Sequence, residues 1–205
     1  MLSMYAIKPM YQTLFRGLAG NWMTPNMATG LGILFSFFVA GAFLLGGRVN
    51  SWFFLLVPIG MALRMGMNAL DGMLAREKGL ASPLGAVLNE ITDVVNDMIC
   101  YAPLWFVPGV NRIVLVAFLL LIFFAEFSGL LGQAISGKRR YEGPLGGKTD
   151  RATLIGLFTG ACAFMPIWWQ YNPYFMSLVC VFILLTAINR LRLTVAEASK
   201  SGGAA

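Results

Sequence analysis

Aspartate and asparagine residues recur at helical spacing in two neighbouring segments of the chain. Asn68 and Asp71 lie three residues apart, and Asn89 and Asp93 lie four apart. Residues at these spacings share one face of a helix, so each pair predicts a polar stripe. Two antiparallel helices joined by a short loop would bring the stripes opposite each other. Because carboxylate and amide oxygens suit hard cations, the stripes predict a Mg²⁺ or Mn²⁺ site.

Asp97 continues the second stripe by one more turn and adds a negative charge as a further candidate metal ligand. These acidic residues lie in otherwise apolar segments. An ionisable group at mid-membrane depth costs about 2.5–3.5 kcal/mol on insertion scales, so such residues usually mark function. Glu90 flanks the second stripe. For Glu126, which stands alone, a functional group and a hydrated residue near the interface remain equally open.

The composition indicates the compartment in which this polar cluster lies. Hydrophobic residues make up 58% of the chain and charged residues 12%, about half the charged fraction of a soluble domain. The apolar residues form blocks close to the roughly 20 residues that cross a bilayer as a helix. Because the chain contains no histidine, catalysis by imidazole and metal sites built on histidine are excluded.

Apolar blocks separated by glycine and proline predict an all-α integral membrane protein with six transmembrane helices. Residues 1–205 form a single domain in this interpretation. Residues 1–22 are predicted to form an amphipathic surface helix, with Met4, Ile7, Tyr11 and Leu14 on its apolar side, and residues 199–205 a disordered tail. The six predicted spans are 25–46, 51–75, 84–107, 112–136, 152–171 and 174–191.

The cationic residues orient these spans. Arg48 and Arg112 fall on one side, Arg64 lies within a span, and the other lysines and arginines fall on the opposite side. The positive-inside rule therefore places both termini and the polar stripes at the cytoplasmic side. This asymmetry accounts for most of the net charge of +6. It predicts contact with membrane lipids rather than with nucleic acid.

The segment from Asn68 to Asp93 resembles the signature of the CDP-alcohol phosphatidyltransferase family, which reads D-x2-D-G-x2-A-R-x8-G-x3-D-x3-D. The chain keeps every fixed position of the signature except the first and third aspartates, where it has Asn68 and Asn89. Thr24-Pro25-Asn26 also resembles the usual opening of the family's first span. With six spans, the resemblance covers essentially the whole chain.

The resemblance implies transfer of a phosphatidyl group from CDP-diacylglycerol to a small, possibly phosphorylated, alcohol. CMP is released, and the setting is phospholipid biosynthesis at a bacterial inner membrane. Asp93 is implied as the base for the incoming hydroxyl. The implied metal ligands are Asn68, Asp71, Asn89 and Asp93, with Asp97 as a substitute charge. The implied CDP-binding residues are Asn68, Asp71, Gly72, Ala75, Arg76 and Gly85.

The departures from the signature bear on the metal. Asparagine keeps a carbonyl oxygen for coordination but removes a negative charge. Asn68 and Asn89 therefore predict weaker metal binding, or one metal in place of two.

A basic, glycine-rich segment follows the fourth span. Its candidate acceptor-binding residues are Arg139, Arg140, Lys148 and Arg151. They could bind the phosphate of a phosphorylated acceptor, and a purely anchoring role at the cytoplasmic face is an equal alternative. Gly156 and Gly160 form a GxxxG pattern, which indicates close helix packing and is compatible with a homodimer.

Two other functions remain open at the level of the sequence. The two asparagines are compatible with a pseudoenzyme that binds lipid or nucleotide, and the intramembrane carboxylates with a small-solute transporter. A transporter more often shows repeated halves and broken helices. Neither is visible here, which favours the enzyme.

Overall fold

The computed structural model of the protein describes residues 8–137, 139–141 and 143–202. The described residues form helices joined by short connections and contain no β-strand, which confirms the all-helical prediction. The α-helices are α1 (Lys8–Ala19), α2 (Pro25–Arg48), α3 (Leu56–Glu77), α4 (Pro83–Tyr101), α5 (Arg112–Ser136), α6 (Lys148–Phe164) and α7 (Asn172–Gly202). Short 3₁₀ helices cover Ser51–Leu55, Ala102–Phe106 and Pro166–Tyr171.

Four helical segments in the described part of the chain are long and apolar enough to cross a membrane. They are Pro25–Arg48, Ser51–Glu77, Arg112–Ser136 and Pro166–Ser199. The other two predicted spans correspond to α4 and α6. Helix α4 carries three carboxylates within 19 residues, and α6 is only 17 residues long. Length and composition therefore establish four spans of the predicted six.

The two ends of the chain differ from their predicted extents. Within the predicted surface helix, α1 covers Lys8–Ala19, and Met4 and Ile7 lie outside the described residues. Helix α7 continues to Gly202 and so includes residues 199–202 of the tail that the sequence predicts to be disordered. The helical hydrogen bonding carries on there, and the Ser199 hydroxyl donates to the Val195 carbonyl at 2.9 Å. Residues 203–205 lie outside the described part.

Helix α1 is attached to α3 by one aromatic side chain. Phe15 is buried, and its ring lies where a side chain on Gly66 would otherwise project. Arg16 donates to Glu77 at 2.8 Å across the same pair of helices. Leu14, which precedes Phe15, is 59% exposed. The helix therefore has one face on the bundle and an apolar residue available to a membrane surface.

Contacts between aromatic and cationic residues define one end of the bundle. Trp169 stacks on Phe54 with ring centroids 4.6 Å apart. Arg48 donates to the Phe106 carbonyl at 2.8 Å, and the Arg112 guanidinium lies 5.1 Å from the centre of the Trp105 ring. The two arginines that the sequence placed apart from the other cations therefore share one end. The α3–α4 connection and the polar stripes lie at the other end.

The GxxxG glycines of α6 pack within the chain. A Cβ atom on Gly156 would lie 3.3 Å from the Pro58 Cα atom in α3, so α6 and α3 approach closely at this point. The prediction of close helix packing is confirmed. The homodimer remains a prediction, because these glycines are used inside the bundle.

Candidate active site

The polar stripes of α3 and α4 meet. The Asn68 side-chain amide donates from Nδ2 to Asp93 Oδ1 at 2.9 Å. Helix α4 begins cleanly after the loop because Ser82 accepts the Gly85 amide at 3.1 Å and Pro83 occupies the first turn. The pairing of stripes predicted from residue spacing is therefore present.

Asp71 lies on the same face of α3, largely buried. Its Oδ1 accepts the backbone amide of Gly72 at 2.6 Å, and the Thr29 hydroxyl lies 3.4 Å from its Oδ2. Thr29 belongs to α2, so three helices supply polar groups here. The sequence analysis missed Thr29, although it lies one helical turn after the Thr24-Pro25-Asn26 opening that drew attention to this end of α2.

Helix α2 also provides room for the Asn68 side chain. Gly32 faces it so closely that a Cβ atom at this position would lie 2.7 Å from Asn68 Oδ1. Because nothing projects from Gly32, the Asn68 amide can lie between α2 and α3 with its nitrogen directed at Asp93.

Lys148 forms an ion pair with Asp93 from the first turn of α6. The side chain of Lys148 is 19% exposed and that of Asp93 is 29% exposed, so the pair lies at the edge of the protein interior. The sequence analysis placed Lys148 with the acceptor and did not foresee its contact with Asp93.

Asp97 lies in a different environment from Asp93. It pairs with Arg64 of α3 and, at 2.8 Å, with Arg151 of α6, and all three side chains are at most 3% exposed. Both carboxylate oxygens therefore face arginines. The structure therefore places Asp97, a predicted metal ligand, in a buried ion-pair network in which both of its oxygens are engaged.

A cavity of about 130 Å³ opens beside Asn68 and Asp93. Its charged lining residues are Glu90, Asp93, Glu126, Asp150, Arg139, Lys148 and Arg190. Asn89, from the predicted metal set, and Tyr141 also line it. Arg190 was assigned only to the cytoplasmic charge in the sequence analysis, yet it is 3% exposed and donates to the Ala125 carbonyl at 2.6 Å.

The four predicted acceptor-binding residues are not equivalent. Arg139 and Lys148 line the cavity. Arg140 pairs with Glu197 of α7, away from the lining residues. Arg151 is buried between Asp97 and Glu126, 2.8 and 3.5 Å away. Only two of the four cations therefore face a space that a ligand could occupy.

The remaining signature residues lie towards the α3–α4 connection. Arg76 and Gly85 are exposed there, and Gly72 and Ala75 are partly buried. A Cβ atom on Gly72 would meet only the end of the Arg76 side chain, at 3.7 Å. This leaves an uncrowded surface next to Asp71.

The donor set fits a weakly held divalent cation. Among the described residues, no three histidine, cysteine, aspartate or glutamate side chains converge as a metal-binding group. Asp71 and Asp93 instead offer two carboxylates beside the amide oxygens of Asn68 and Asn89. Mg²⁺ is commonly bound by one or two carboxylates completed by water and substrate phosphates. The residues present suit that arrangement.

Comparison with known proteins identifies the class. Residues 22–188 match the family described as CDP-alcohol phosphatidyltransferase. The chain therefore belongs to this family and is an enzyme of this class, as the signature between Asn68 and Asp93 predicted.

Two relatives align over most of the chain. Inner membrane protein YnbA of Escherichia coli K12 is 40% identical over 195 residues, covering 93% of this chain and 96% of that protein. Phosphatidylinositol phosphate synthase of Mycobacterium marinum is 29% identical over 202 residues, covering 93% and 81%. With the four apolar helices, the first likeness supports a bacterial inner-membrane protein.

Solved structures share the fold. Mycobacterium tuberculosis phosphatidylinositol phosphate synthase with CDP-DAG bound superposes with a TM-score of 0.67 at 23% identity, covering 91% of this chain and 94% of that one. The same enzyme in complex with manganese and citrate gives a TM-score of 0.67 at 24% identity, covering 90% and 88%.

Replacing Asp97 tests whether it is a structural partner or a metal ligand. Asp97→Ala leaves two arginines without their carboxylate, and breaking a buried ion pair costs about 3–5 kcal/mol. We expect the detergent-solubilised variant to unfold at a much lower temperature than the wild type. Glu77→Ala, which removes an exposed pair with Arg16, should change stability by only about 0–1 kcal/mol. Unchanged thermal stability combined with lost Mn²⁺ binding would instead make Asp97 a ligand.

Proposed function

We propose that this enzyme transfers the phosphatidyl group of CDP-diacylglycerol to the hydroxyl of a small alcohol and releases CMP. The observation that carries the proposal is that Asp93 lines a cavity and contacts Asn68 of the facing helix, one helical turn from Asp71, in a chain of this family. The likeness to a phosphatidylinositol phosphate synthase whose structure contains CDP-DAG supports the choice of donor.

The reaction is a displacement at phosphorus. The acceptor oxygen forms a bond to the lipid-side phosphorus, and the bond from that phosphorus to the bridging oxygen of the diphosphate breaks. CMP leaves with the bridging oxygen, and the acceptor proton passes to Asp93. Asp93 suits this role because it lines the cavity and is only partly buried. Positioning of the two substrates supplies much of the acceleration.

A divalent cation, Mg²⁺ or Mn²⁺, held by Asp71 and Asp93 with Asn68 and Asn89 nearby, would neutralise the diphosphate and the leaving oxygen. Lys148 already contacts Asp93. Its ammonium places a positive charge beside the carboxylate that takes the acceptor proton in this proposal.

The CDP end of the donor lies along the α3–α4 connection in this proposal. Gly72, Ala75 and Gly85 have small side chains or none there, and the planar Arg76 guanidinium can meet a phosphate with two parallel hydrogen bonds. Asn68 and Asp71 complete the donor-binding residues at the inner edge. Arg76 is suited to this role because it is exposed next to the carboxylates.

The proposed arrangement in the membrane has six spans, with α4 and α6 crossing together with the four apolar segments. Helix α4 supports this because it exposes an apolar stripe made of Leu84, Val87, Leu88, Ile91 and Val95. The termini, α1 and the active site lie on the cytoplasmic side, as the distribution of cations favours. Membrane lipids are partners in this arrangement, and the homodimer is proposed with it.

Removing either central carboxylate tests the catalytic assignment. We expect Asp71→Asn and Asp93→Asn to lower CMP release from CDP-diacylglycerol by about a hundredfold or more, since metal contact and proton transfer are both impaired. The neutral replacements keep the shape of each side chain, so the variants should remain folded. The control Glu77→Gln, on the same helix as Asp71 but in an exposed pair, should retain wild-type activity. Turnover close to wild type in either folded aspartate variant would overturn the assignment.

The two asparagines give a second test, which is read by metal binding. Ligand charge is a main determinant of affinity for hard cations. We expect the double variant Asn68→Asp, Asn89→Asp to bind Mn²⁺ about tenfold more tightly than the wild type in calorimetry with CDP present. The control Asn50→Asp, Asn111→Asp adds the same charge at two helix starts, where aspartate can also cap.

Affinity should stay at the wild-type value in that control. If the Asn68 and Asn89 double variant binds Mn²⁺ no more tightly than the control, the two asparagines do not face the metal. The placement of the signature onto these helices would then be wrong in its chemistry.

A further inference from the structure

Among the residues that the structure describes, the lining of the cavity beside Asp93 has more carboxylates than cations. Its charged lining consists of four carboxylates, Glu90, Asp93, Glu126 and Asp150, and three cations, Arg139, Lys148 and Arg190. Asp93 and its partner Lys148 belong to the proposed metal site, and the other described lining residues still have three carboxylates against two cations. A cavity that selects a phosphorylated alcohol would be expected to have the opposite balance.

Arg139 is already held by two of these carboxylates. Its Nη2 atom lies 2.7 Å from Glu90 Oε2 and 3.4 Å from Glu126 Oε2. Its other two guanidinium nitrogens, Nε and Nη1, are buried and make no hydrogen bond. The nitrogen that is satisfied faces Glu90 and Glu126, and the two unsatisfied nitrogens have almost no accessible surface. Arg139 thus presents little donor capacity to a ligand.

The other two lining cations are also engaged. Lys148 pairs with Asp93. Arg190 donates to the carbonyl of Ala125 at 2.6 Å and lies 3.4 Å from that of Tyr141. An acceptor phosphate, which carries about −1.5 to −2 charge at neutral pH, would have to separate existing pairs and then lie beside two carboxylates.

Glu90 and Glu126 can contact a ligand directly. The Glu90 side chain is 31% exposed and that of Glu126 is 15% exposed, and both line the cavity. An ionised carboxylate only accepts hydrogen bonds and has about four lone-pair sites, so Glu90 and Glu126 keep acceptor sites beyond those used by Arg139 and Arg151. They therefore match alcohols whose remaining groups donate, such as further hydroxyls or an ammonium.

We propose that Glu90 and Glu126 select the acceptor, and that it is an alcohol without a phosphate whose hydroxyl or ammonium groups donate hydrogen bonds to these two carboxylates. This inference rests on the proposed phosphatidyl transfer at Asp93 and adds the class of its second substrate. It departs from the sequence-based expectation that Arg139, Arg140, Lys148 and Arg151 bind an acceptor phosphate.

Matched pairs of acceptors test the selection. The purified full-length protein, in lipid nanodiscs with CDP-diacylglycerol and Mn²⁺, is given glycerol or glycerol 3-phosphate, and inositol or inositol 1-phosphate. CMP release gives kcat/KM for each acceptor. We expect the unphosphorylated member of at least one pair to be favoured tenfold or more, and neither phosphorylated member to be favoured. Ethanolamine compared with ethylene glycol then distinguishes an ammonium from hydroxyl groups as the donor.

The variant Glu90→Gln, Glu126→Gln links the selection to these residues. We expect it to raise the KM of the preferred acceptor about tenfold and to leave the KM of CDP-diacylglycerol unchanged. The ratio of kcat/KM between the unphosphorylated and the phosphorylated acceptor of each pair should become smaller. Glu77→Gln, which removes a carboxylate far from the cavity, should leave the preference unchanged. If the double variant does not fold, the single variant Glu90→Gln and the acceptor preference of the wild type still test whether these carboxylates select the acceptor.

The possible failures are distinguishable. Turnover that prefers a phosphorylated acceptor, or a preference that the glutamate variants leave untouched, overturns this inference and leaves phosphatidyl transfer standing. If no alcohol, phosphorylated or unphosphorylated, supports CMP release, both this inference and the proposed function are overturned.

Discussion

A buried carboxylate between two arginines holds together the helices that carry the site. Asp97 of α4 meets Arg64 of α3 and Arg151 of α6, and none of the three side chains is more than 3% exposed. In such an environment a charge without its partner costs several kcal/mol, so the three groups strongly favour one mutual arrangement. Asp97 lies one helical turn beyond Asp93. The ion pairs of Asp97 fix the rotation of α4 about its axis and therefore the direction in which Asp93 points.

The same network of ion pairs links the buried charges around Asp97 to the charged residues that line the cavity. Arg151 also reaches Glu126 at 3.5 Å, and Glu126 in turn approaches Arg139 at 3.4 Å. Pairing thus extends from the fully buried layer at Asp97 to the partly exposed layer that lines the cavity. Charges within an apolar bundle are tolerated when they pair with one another. Among the described residues, the layer nearest the cavity has more carboxylates than cations.

Residue spacing was sufficient to predict which faces of α3 and α4 meet, because both stripes end at one short loop. The contact of Asn68 with Asp93 confirms this. The place of Asp97 was not predictable in the same way. Steps of four residues rotate by about 40° each on a helix of 3.6 residues per turn. From Asn89 to Asp97 the stripe therefore turns by about 80°, enough to move from the cavity into the helix interface.

The ion-pair partners of the arginines could not be predicted from the sequence for a different reason. Arg64 and Arg151 lie 33 and 54 residues from Asp97, and Glu90 meets Arg139 only after α5 has returned along the bundle. Patterns within one helix do not report which face of a distant helix lies opposite. The basic segment around Arg139 therefore looked like a phosphate site when its sequence was considered alone. Its neighbours α4 and α5 supply Glu90 and Glu126, which pair with Arg139 and which no pattern within the basic segment could indicate.

The location of the metal tests the central claim most directly. Crystals of the protein grown with Mn²⁺ and CDP give the metal position from anomalous scattering, independently of activity. Manganese is expected in contact with Asp71 and Asp93, with the diphosphate of CDP completing its coordination and Asp97 still paired with Arg64 and Arg151. Manganese bound at Asp97 or Glu126, or CDP bound away from the α3–α4 connection, would contradict the proposed active site.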